Sequence, residues 1–174
     1  MLKTYTYPQF EYVRPPEVAE RRRGHYPVVV VGAGPVGLSM AIDLAIQGQS
    51  VLVLDNDDTV SIGSRGVCYA KRALEVLDRM GCGEPAVQKG VSWNVGRTFF
   101  GEGEVFNFNL RPQEGHERPG MVNLQQYYLE EYLINRAREL PNLEIRFKNN
   151  VISVEQDDAQ ATVRVETPDG AYTL

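Results

Sequence analysis

The sequence predicts an α/β fold built on parallel strands, on the strength of three patterns. Residues 28–31 and 50–54 form two short, mostly apolar runs, which are typical of strands buried on both faces of a parallel sheet. Between them, apolar residues recur at helical spacing from Pro35 to Gln47, and Gly48 marks the end of this helix. Alternating apolar and polar residues later in the chain predict a β-hairpin and a C-terminal β-meander. The first strand, helix and second strand therefore form a βαβ unit.

The chain before the first strand is rich in tyrosine, proline and charge, and it predicts an extended arm over residues 1–25. The rest, residues 26–174, is expected to form one domain. The three consecutive arginines of the arm, 21–23, are too few for a targeting signal and indicate a solvated face, with a patch for a phosphate or a partner as the alternative. Four aromatic residues are expected to pack the arm onto the surface: Tyr5, Tyr7, Phe10 and Tyr12.

The remaining elements follow from the same periodicities and from the positions of glycine and proline. In chain order we expect a loop at 56–66, a helix from Val67 to Met80, a hairpin from Val91 to Leu110, a loop at 111–120, a helix from Leu124 to Glu139, a strand from Leu143 to Phe147, and meander strands at 151–155, 162–166 and 171–174. Five aromatic residues are expected to form the core of the hairpin rather than a pocket for an aromatic substrate: Trp93, Phe99, Phe100, Phe106 and Phe108.

Composition and charge limit the classes of function. Of the 174 residues, 43% are hydrophobic and 24% are charged, which are values of an ordinary globular domain. The 18 basic and 23 acidic side chains give a net charge of −5, which argues against binding of nucleic acid. No apolar run approaches the roughly 18 residues of a membrane span, and the arm lacks the apolar core of a signal peptide. We therefore expect a cytoplasmic protein that does not bind a membrane.

The cysteines and histidines predict neither a disulfide framework nor a metal site. If residues 67–80 are helical, Cys68 and Cys82 lie roughly 20 Å apart, so we expect two free thiols and a reducing compartment. Cys68 is interpreted as a small buried residue at the start of that helix. His25 and His116 have no ligand spacing to a cysteine or to each other, and a G-x-S-x-G hydrolase motif is absent from the sequence.

The turn between the first strand and the first helix carries a G-x-G-x-x-G motif. The motif follows a predicted strand and opens a predicted helix, and Asp55 ends the next strand, 18 residues after Gly37. This combination is the fingerprint of a dinucleotide site, and a glycine-rich turn that binds nothing is the alternative. The motif consists of Gly32, Ala33, Gly34, Pro35, Val36 and Gly37.

Each of these positions has a physical task at a dinucleotide site. Gly32 allows the sharp turn out of the strand, Gly34 lets a pyrophosphate approach the backbone, and Gly37 lets helix and strand pack closely. The first N–H groups and the dipole of the helix stabilise the phosphate charge. Asp55 accepts hydrogen bonds from the adenosine ribose, and its charge disfavours the 2′-phosphate of NADP. The pattern indicates an adenine dinucleotide and leaves FAD and NAD open.

Four segments together resemble a known family. The segments VVVVGAGPVGLSMAIDLAIQG, VLVLDND and SRGVCYAKRALEVLDRMG are similar to the start of the FAD-dependent aromatic hydroxylases, and NLQQYYLEEYL resembles a helix whose glutamine contacts the flavin in that family. These enzymes are the single-component flavin monooxygenases similar to para-hydroxybenzoate hydroxylase, and the branch is that of the phenol and 3-hydroxyphenylpropionate hydroxylases. The resemblance extends over nearly the whole chain.

The resemblance implies roles for the residues at matching positions. It places the adenosine and pyrophosphate of FAD on the G-x-G-x-x-G turn and on Asp55, where the family more often has glutamate. Arg65 matches an arginine near the cofactor phosphates or the incoming nicotinamide nucleotide, and a solvated loop arginine is the alternative. Gln126 matches the glutamine that contacts the flavin, with the adjacent Gln125, or an exposed helix glutamine without a role, as alternatives. No catalytic residue is assigned.

The resemblance also implies a Rossmann-like FAD-binding domain whose parallel strands have the order 3-2-1, from residues 143–147 through 50–54 to 28–31. The implied activity is hydroxylation of a small phenolic substrate, with FAD as cofactor, NAD(P)H as transient co-substrate and O₂. Because the family's later Asp-Gly and Gly-Asp motifs are not among these 174 residues, we expect an incomplete domain, the N-terminal portion of a larger enzyme, inactive alone. There are two alternatives: another FAD or NAD oxidoreductase, and a non-catalytic nucleotide-binding fragment. The sequence leaves open whether the protein forms a homo-oligomer.

Overall fold

The computed structural model describes residues 5–63, 65–111 and 114–174. Within them the helices are α1 (Pro16–Glu20), α2 (Pro35–Ile46), α3 (Lys71–Arg79), α4 (Gly83–Lys89) and α5 (Gln126–Arg138). The strands are β1 (Val28–Val31), β2 (Val51–Leu54), β3 (Cys68–Ala70), β4 (Val91–Ser92), β5 (Val95–Phe100), β6 (Gly103–Asn109), β7 (Met121–Asn123), β8 (Leu143–Arg146), β9 (Asn150–Gln156), β10 (Ala161–Thr167) and β11 (Gly170–Thr173).

A parallel sheet in the order β1-β2-β8 lies at the centre of the fold. Val51 of β2 is opposite Val28 on one side and opposite Leu143 on the other, so the central strand pairs along both edges. All four residues of β2 are buried. This arrangement confirms the predicted βαβ unit and the predicted 3-2-1 order of the strands.

The two faces of this sheet are covered by different layers. Val53 of β2 shares a hydrophobic cluster with Leu38 of α2 and Leu133 of α5, so these helices cover one face. Leu52, which points the opposite way in the same strand, shares a second cluster with Val165 of β10. The antiparallel sheet β9-β10-β11 therefore covers the other face, which confirms the predicted C-terminal meander.

The predicted helix over residues 67–80 is wrong at its start. Cys68 lies in β3 and pairs with Asn123 of β7, and α3 begins only at Lys71. Cys68 is therefore exposed in a strand, and not buried at the start of a helix. Both thiols are free, as predicted, and burial raises the pKa of Cys82 to about 11. The short elements β4, β7 and α4 were not predicted.

The arm packs onto the domain through aromatic residues, as predicted, but it is not extended throughout. Phe10 stacks on Phe147 with ring centroids 4.4 Å apart, and Tyr5 stacks on Tyr127 at 4.3 Å. Helix α1 interrupts the arm, so the prediction of an extended chain is wrong there. Pro16 occupies the first helical position, where its fixed φ and missing N–H are tolerated. The division of the chain into an arm and a domain stays a prediction.

A buried ion pair joins the arm to the parallel sheet. Arg146, at the end of β8, donates to Glu17 of α1 at 2.9 Å, and the two residues are only 5% and 2% exposed. Tyr26 donates to the same carboxylate, and Glu144 accepts from the same guanidinium. Burial disfavours ionisation of Glu17, but its own backbone N–H, the charge of Arg146 and the two hydrogen bonds outweigh this effect and lower the pKa of Glu17.

The hairpin β5–β6 forms as predicted, but its aromatic residues do not form a core. Phe99, Phe106 and Phe108 are exposed, and Phe100 at its tip is 87% exposed. Trp93 is half-buried, packs edge-on against Phe108, and donates to a side chain of β7. The hairpin is a two-stranded sheet, so alternation along its strands produced pairing without a second layer to bury either face.

The residues that the structure describes contain neither a membrane-spanning helix nor a cluster of metal-ligating side chains. None of their helices has both the length and the apolarity needed to cross a membrane. They also contain no group of three or more histidine, cysteine, aspartate or glutamate residues placed to hold a metal ion.

Candidate cofactor site

The glycine-rich turn after β1 leaves open space beside its backbone. Gly32 donates its N–H to the carbonyl of Leu54 at 2.8 Å, and its φ of +100° is one that other residues rarely adopt. A Cβ atom built on Gly32 or on Gly34 would meet nothing within 4 Å. The turn can therefore admit a ligand against its main chain at the two positions where the sequence predicted this.

Gly37 has the opposite surroundings, which fit its predicted role in packing. A Cβ atom on Gly37 would lie 2.0 Å from the carbonyl oxygen of Gly32 and 3.3 Å from Cγ1 of Val30. Helix α2 thus crosses the end of β1 at a distance that only glycine permits. Ala41, one turn further along the helix, is fully buried in the same hydrophobic cluster as Leu38.

The N-terminus of α2 is not capped by a side chain. Gly34 is the N-cap residue in an extended conformation, Pro35 is the first helical residue, and neither supplies a capping oxygen. Val36 in the first turn is 84% exposed. The first N–H groups of a helix have no partner within the helix, and the macrodipole adds partial positive charge there, so this end can take an anion.

The carboxylate of Asp55 is directed at this turn. One of its oxygens accepts the N–H of Ala33 at 2.5 Å, and the other accepts the N–H of Asp57 at 2.8 Å. The backbone of Asp55 is fixed as well, because its N–H donates to the carbonyl of Arg146. Each carboxylate oxygen has a second lone pair, so the group retains capacity to accept hydroxyl donors.

The arm supports the loop that follows Asp55. Phe10 donates its N–H to the carbonyl of Asp58 at 2.7 Å, and Thr59 donates its hydroxyl to the carbonyl of Pro8 at 2.6 Å. These bonds hold the first part of the loop against the arm. The sequence offered no signal for them, because neither side of the contact has a periodic pattern.

A glutamine–glutamate pair lies where α5 meets the same loop. Gln126, the first residue of α5, donates to Glu130 at 2.7 Å and to the hydroxyl of Ser61 at 3.2 Å. Glu130 is 2% exposed and also accepts the N–H and the hydroxyl of Ser61, at 2.6 and 2.7 Å. Burial, then the charge of Glu130, raises the pKa of Tyr69 in β3. Gln126 is half-buried whereas Gln125 is exposed, so this geometry favours Gln126 of the two.

Sequence reasoning missed Glu130. A signal was present, because Gln126 and Glu130 have the i, i+4 spacing at which side chains of one helix face each other. The spacing of Gln126 and Glu130 indicates a site only together with Ser61, which the fold places beside both side chains.

Arg65, the remaining candidate, lies in the loop between β2 and β3. It is exposed, and within the described residues it makes no ion pair and no side-chain hydrogen bond to Asp55 or to the glycine turn. Its neighbour Gly66 lies beside Gln126, whose Oε1 would be 3.8 Å from a Cβ atom built on that glycine. The structure thus places the residue after Arg65 beside Gln126, and it shows no hydrogen bond from Arg65 to the described residues of the turn.

The candidate residues share one end of the parallel sheet. Gly32 follows β1 and Asp55 follows β2, so both lie at the carboxyl ends of these strands. Helices α2 and α5 pack on the sheet as crossover helices, so they run opposite to the strands and begin at that same end. Ligands of open α/β sheets bind outside the carboxyl ends of the strands.

This geometry fits the dinucleotide predicted from the sequence. The turn offers space for a pyrophosphate beside Gly32 and Gly34, the end of α2 offers donors and positive potential, and Asp55 offers acceptors for hydroxyl groups. The same arrangement does not distinguish one adenine dinucleotide from another.

Comparison with known proteins favours FAD among the adenine dinucleotides. Residues 25–174 match the family described as FAD binding domain. The chain is 35% identical over 150 residues to para-nitrophenol 4-monooxygenase of Pseudomonas sp. (strain WBC-3), an alignment covering 84% of this chain and 37% of that protein. The crystal structure of p-nitrophenol 4-monooxygenase PnpA from Pseudomonas putida DLL-E4 superimposes with a TM-score of 0.81 at 30% identity, over 87% of this chain and 39% of that one.

A third similar protein was solved with its cofactor. Aklavinone-11 hydroxylase, in a ternary complex with FAD and aklavinone, superimposes with a TM-score of 0.68 at 27% identity, over 87% of this chain and 32% of that one. The chain therefore spans between 32% and 39% of the length of these three proteins.

Proposed function

The chain belongs to the FAD-binding domain family, within a group related to flavin-dependent aromatic monooxygenases, and from this premise we propose that it is the FAD-binding part of an NAD(P)H-dependent hydroxylase of a phenolic substrate. The observation that carries the proposal is the carboxylate of Asp55, which is held against the open glycine turn by the N–H of Ala33. We place this enzyme in the cytoplasm.

The residues divide the cofactor between two parts of the site. Gly32, Gly34 and the start of α2 would hold the pyrophosphate, and Asp55 would accept the ribose hydroxyls of the adenosine. Gln126 would contact the flavin half. Arg65, exposed in the adjacent loop, would contribute a positive charge to the phosphates or to the incoming nicotinamide nucleotide.

When bound, FAD supplies the redox chemistry, taking electrons from NAD(P)H and passing them to O₂ for hydroxylation of the ring. The described residues of this chain contribute binding and orientation. The turn would hold the pyrophosphate, and Asp55 would orient the adenosine ribose through its hydroxyl groups. The relatives' remaining length lies outside these 174 residues, so we propose that substrate binding and O₂ activation require the rest of such an enzyme.

Titration of the chain with FAD tests the proposal, with ADP as a probe of the adenosine half. We expect quenching of flavin fluorescence and a shifted visible absorption band on binding. The variant Asp55→Asn is expected to lose at least about tenfold in affinity for both ligands, because a hydrogen bond to a charged group contributes roughly 1.5–3 kcal/mol.

The matched control is Asp57→Asn, which removes the same charge from an exposed side chain two residues away. Its affinities should stay within about twofold of the unchanged chain, since long-range charge effects at the surface are screened. A chain that takes up neither ligand, or equal losses in both variants, would contradict the proposal. In the whole enzyme, O₂ consumption that depends on a phenolic substrate would separate a hydroxylase from another FAD oxidoreductase.

A further inference from the structure

The buried carboxylate of Glu130 is held by hydrogen bonds rather than by a cation. It is 2% exposed, accepts two hydrogen bonds from Ser61 and one from Gln126, and forms no ion pair within the described parts of the chain. Burying a charge in this way is costly unless its acceptors are satisfied. Every donor to Glu130 therefore has a defined position.

Both oxygens of the Glu130 carboxylate accept hydrogen bonds, and this fixes the orientation of Gln126. The amide of Gln126 must turn its NH₂ group toward these acceptors. The oxygen of the amide then lies on the opposite side, toward Gly66, 3.8 Å from where a Cβ atom of that glycine would be. Exchanging the two ends of the amide would place its oxygen against the accepting oxygens of Glu130 and Ser61, acceptor against acceptor.

We infer that Glu130 is a positioning residue, which holds Gln126 with its amide oxygen toward Gly66 and so determines which atoms Gln126 presents to the flavin half of the cofactor. This inference rests on the proposed function. Glu130 itself does not touch the cofactor in this role. It acts through Gln126, on the half of FAD that is remote from Asp55.

The variant Glu130→Gln replaces one accepting oxygen by a donating NH₂ group and keeps the shape of the side chain. Its single oxygen takes the N–H of Ser61, and its NH₂ group then faces the NH₂ group of Gln126. The amide of Gln126 must turn round to offer its oxygen, which brings its NH₂ group to the Gly66 side. The matched control is Glu131→Gln, the same substitution at the next residue, whose carboxylate accepts a hydrogen bond from Tyr5.

The test compares affinities for FAD and ADP across the unchanged chain, Glu130→Gln and Glu131→Gln, together with their unfolding temperatures. We expect Glu130→Gln to weaken FAD about tenfold, the usual effect of one mispaired buried hydrogen bond, while ADP stays within about twofold. Glu131→Gln should bind FAD within about threefold of the unchanged chain. ADP reports the adenosine half alone, so a selective loss of FAD affinity is not produced by general loosening of the fold.

Three outcomes would overturn the inference. Unchanged FAD affinity in Glu130→Gln would show that Gln126 does not depend on Glu130. Equal losses of FAD and ADP with a lowered unfolding temperature would make Glu130 a structural residue only. An equal loss of FAD affinity in Glu131→Gln would assign the effect to the lost charge and not to the orientation of the amide. If the unchanged chain binds neither FAD nor ADP, the proposed function fails first, and the inference fails with it.

Discussion

Replacing Gly37 with alanine is expected to destabilise the domain by about 3 kcal/mol, the upper end of overpacking effects, and to abolish binding of FAD. The added methyl group would lie 2.0 Å from the carbonyl oxygen of Gly32, which belongs to the main chain and cannot rotate away. Helix α2 would have to move off β1, and the turn between them would move with it. Urea unfolding and FAD titration measure the two effects.

Gly34→Ala is the matched control for this prediction. A methyl group at Gly34 meets no atom within 4 Å, and its φ of −78° suits alanine, so stability should change by less than about 1 kcal/mol. The methyl group would occupy the space proposed for the pyrophosphate, and FAD should bind at least about tenfold more weakly. Normal stability in Gly37→Ala, or normal FAD affinity in Gly34→Ala, would refute the roles assigned to these glycines.

Removing the buried carboxylate of the arm with Glu17→Ala should cost about 3 kcal/mol of unfolding free energy at pH 7. The change leaves Arg146 charged and 5% exposed, with Glu144 as its remaining carboxylate partner. Glu20→Ala, in the same short helix, removes an exposed ion pair with Arg22 and should cost less than about 0.5 kcal/mol. Equal effects of the two substitutions in urea unfolding would contradict the prediction.

The contribution of Glu17 should depend on pH in a defined direction. Its pKa in the folded chain is lowered, so the stabilisation is fully present above the ordinary glutamate value of about 4.3 and is lost as pH falls through the folded pKa. Glu17→Gln has nearly the same shape and does not titrate. The difference in unfolding free energy between the two chains should therefore be constant from pH 7 to 5 and shrink toward pH 3. A difference that grows with acid would contradict this assignment.

The part of the fold that sequence patterns predicted is the part in which neighbours in sequence are neighbours in space. The βαβ unit needs only two apolar runs, one helical repeat and three glycines, and these are local signals. The same signals predicted the function of the turn, since the space at Gly34 and the close contact at Gly37 follow from the absence of side chains there. The site residues themselves stay predictions until binding is measured.

The parts that were missed depend on contacts between distant segments. Strand β3 forms because Cys68 pairs with Asn123 of β7, and no sequence pattern near Cys68 predicts this pairing. The role of Glu130 depends on its hydrogen bonds from Ser61, a residue 69 positions earlier in the chain. Periodicity likewise predicted the strands of the hairpin, but it does not report whether another layer covers them, and Phe100 is exposed at its tip.

The hydrogen bond from the N–H of Ala33 to the carboxylate of Asp55 affects the rates at which a ligand binds and leaves. The acceptor is already immobilised by the main chain, so little conformational freedom remains to be lost at that point when a dinucleotide arrives. Such preorganisation favours an association rate set by diffusion and orientation. Differences in affinity among variants of the site should then emerge mainly in how long the ligand resides.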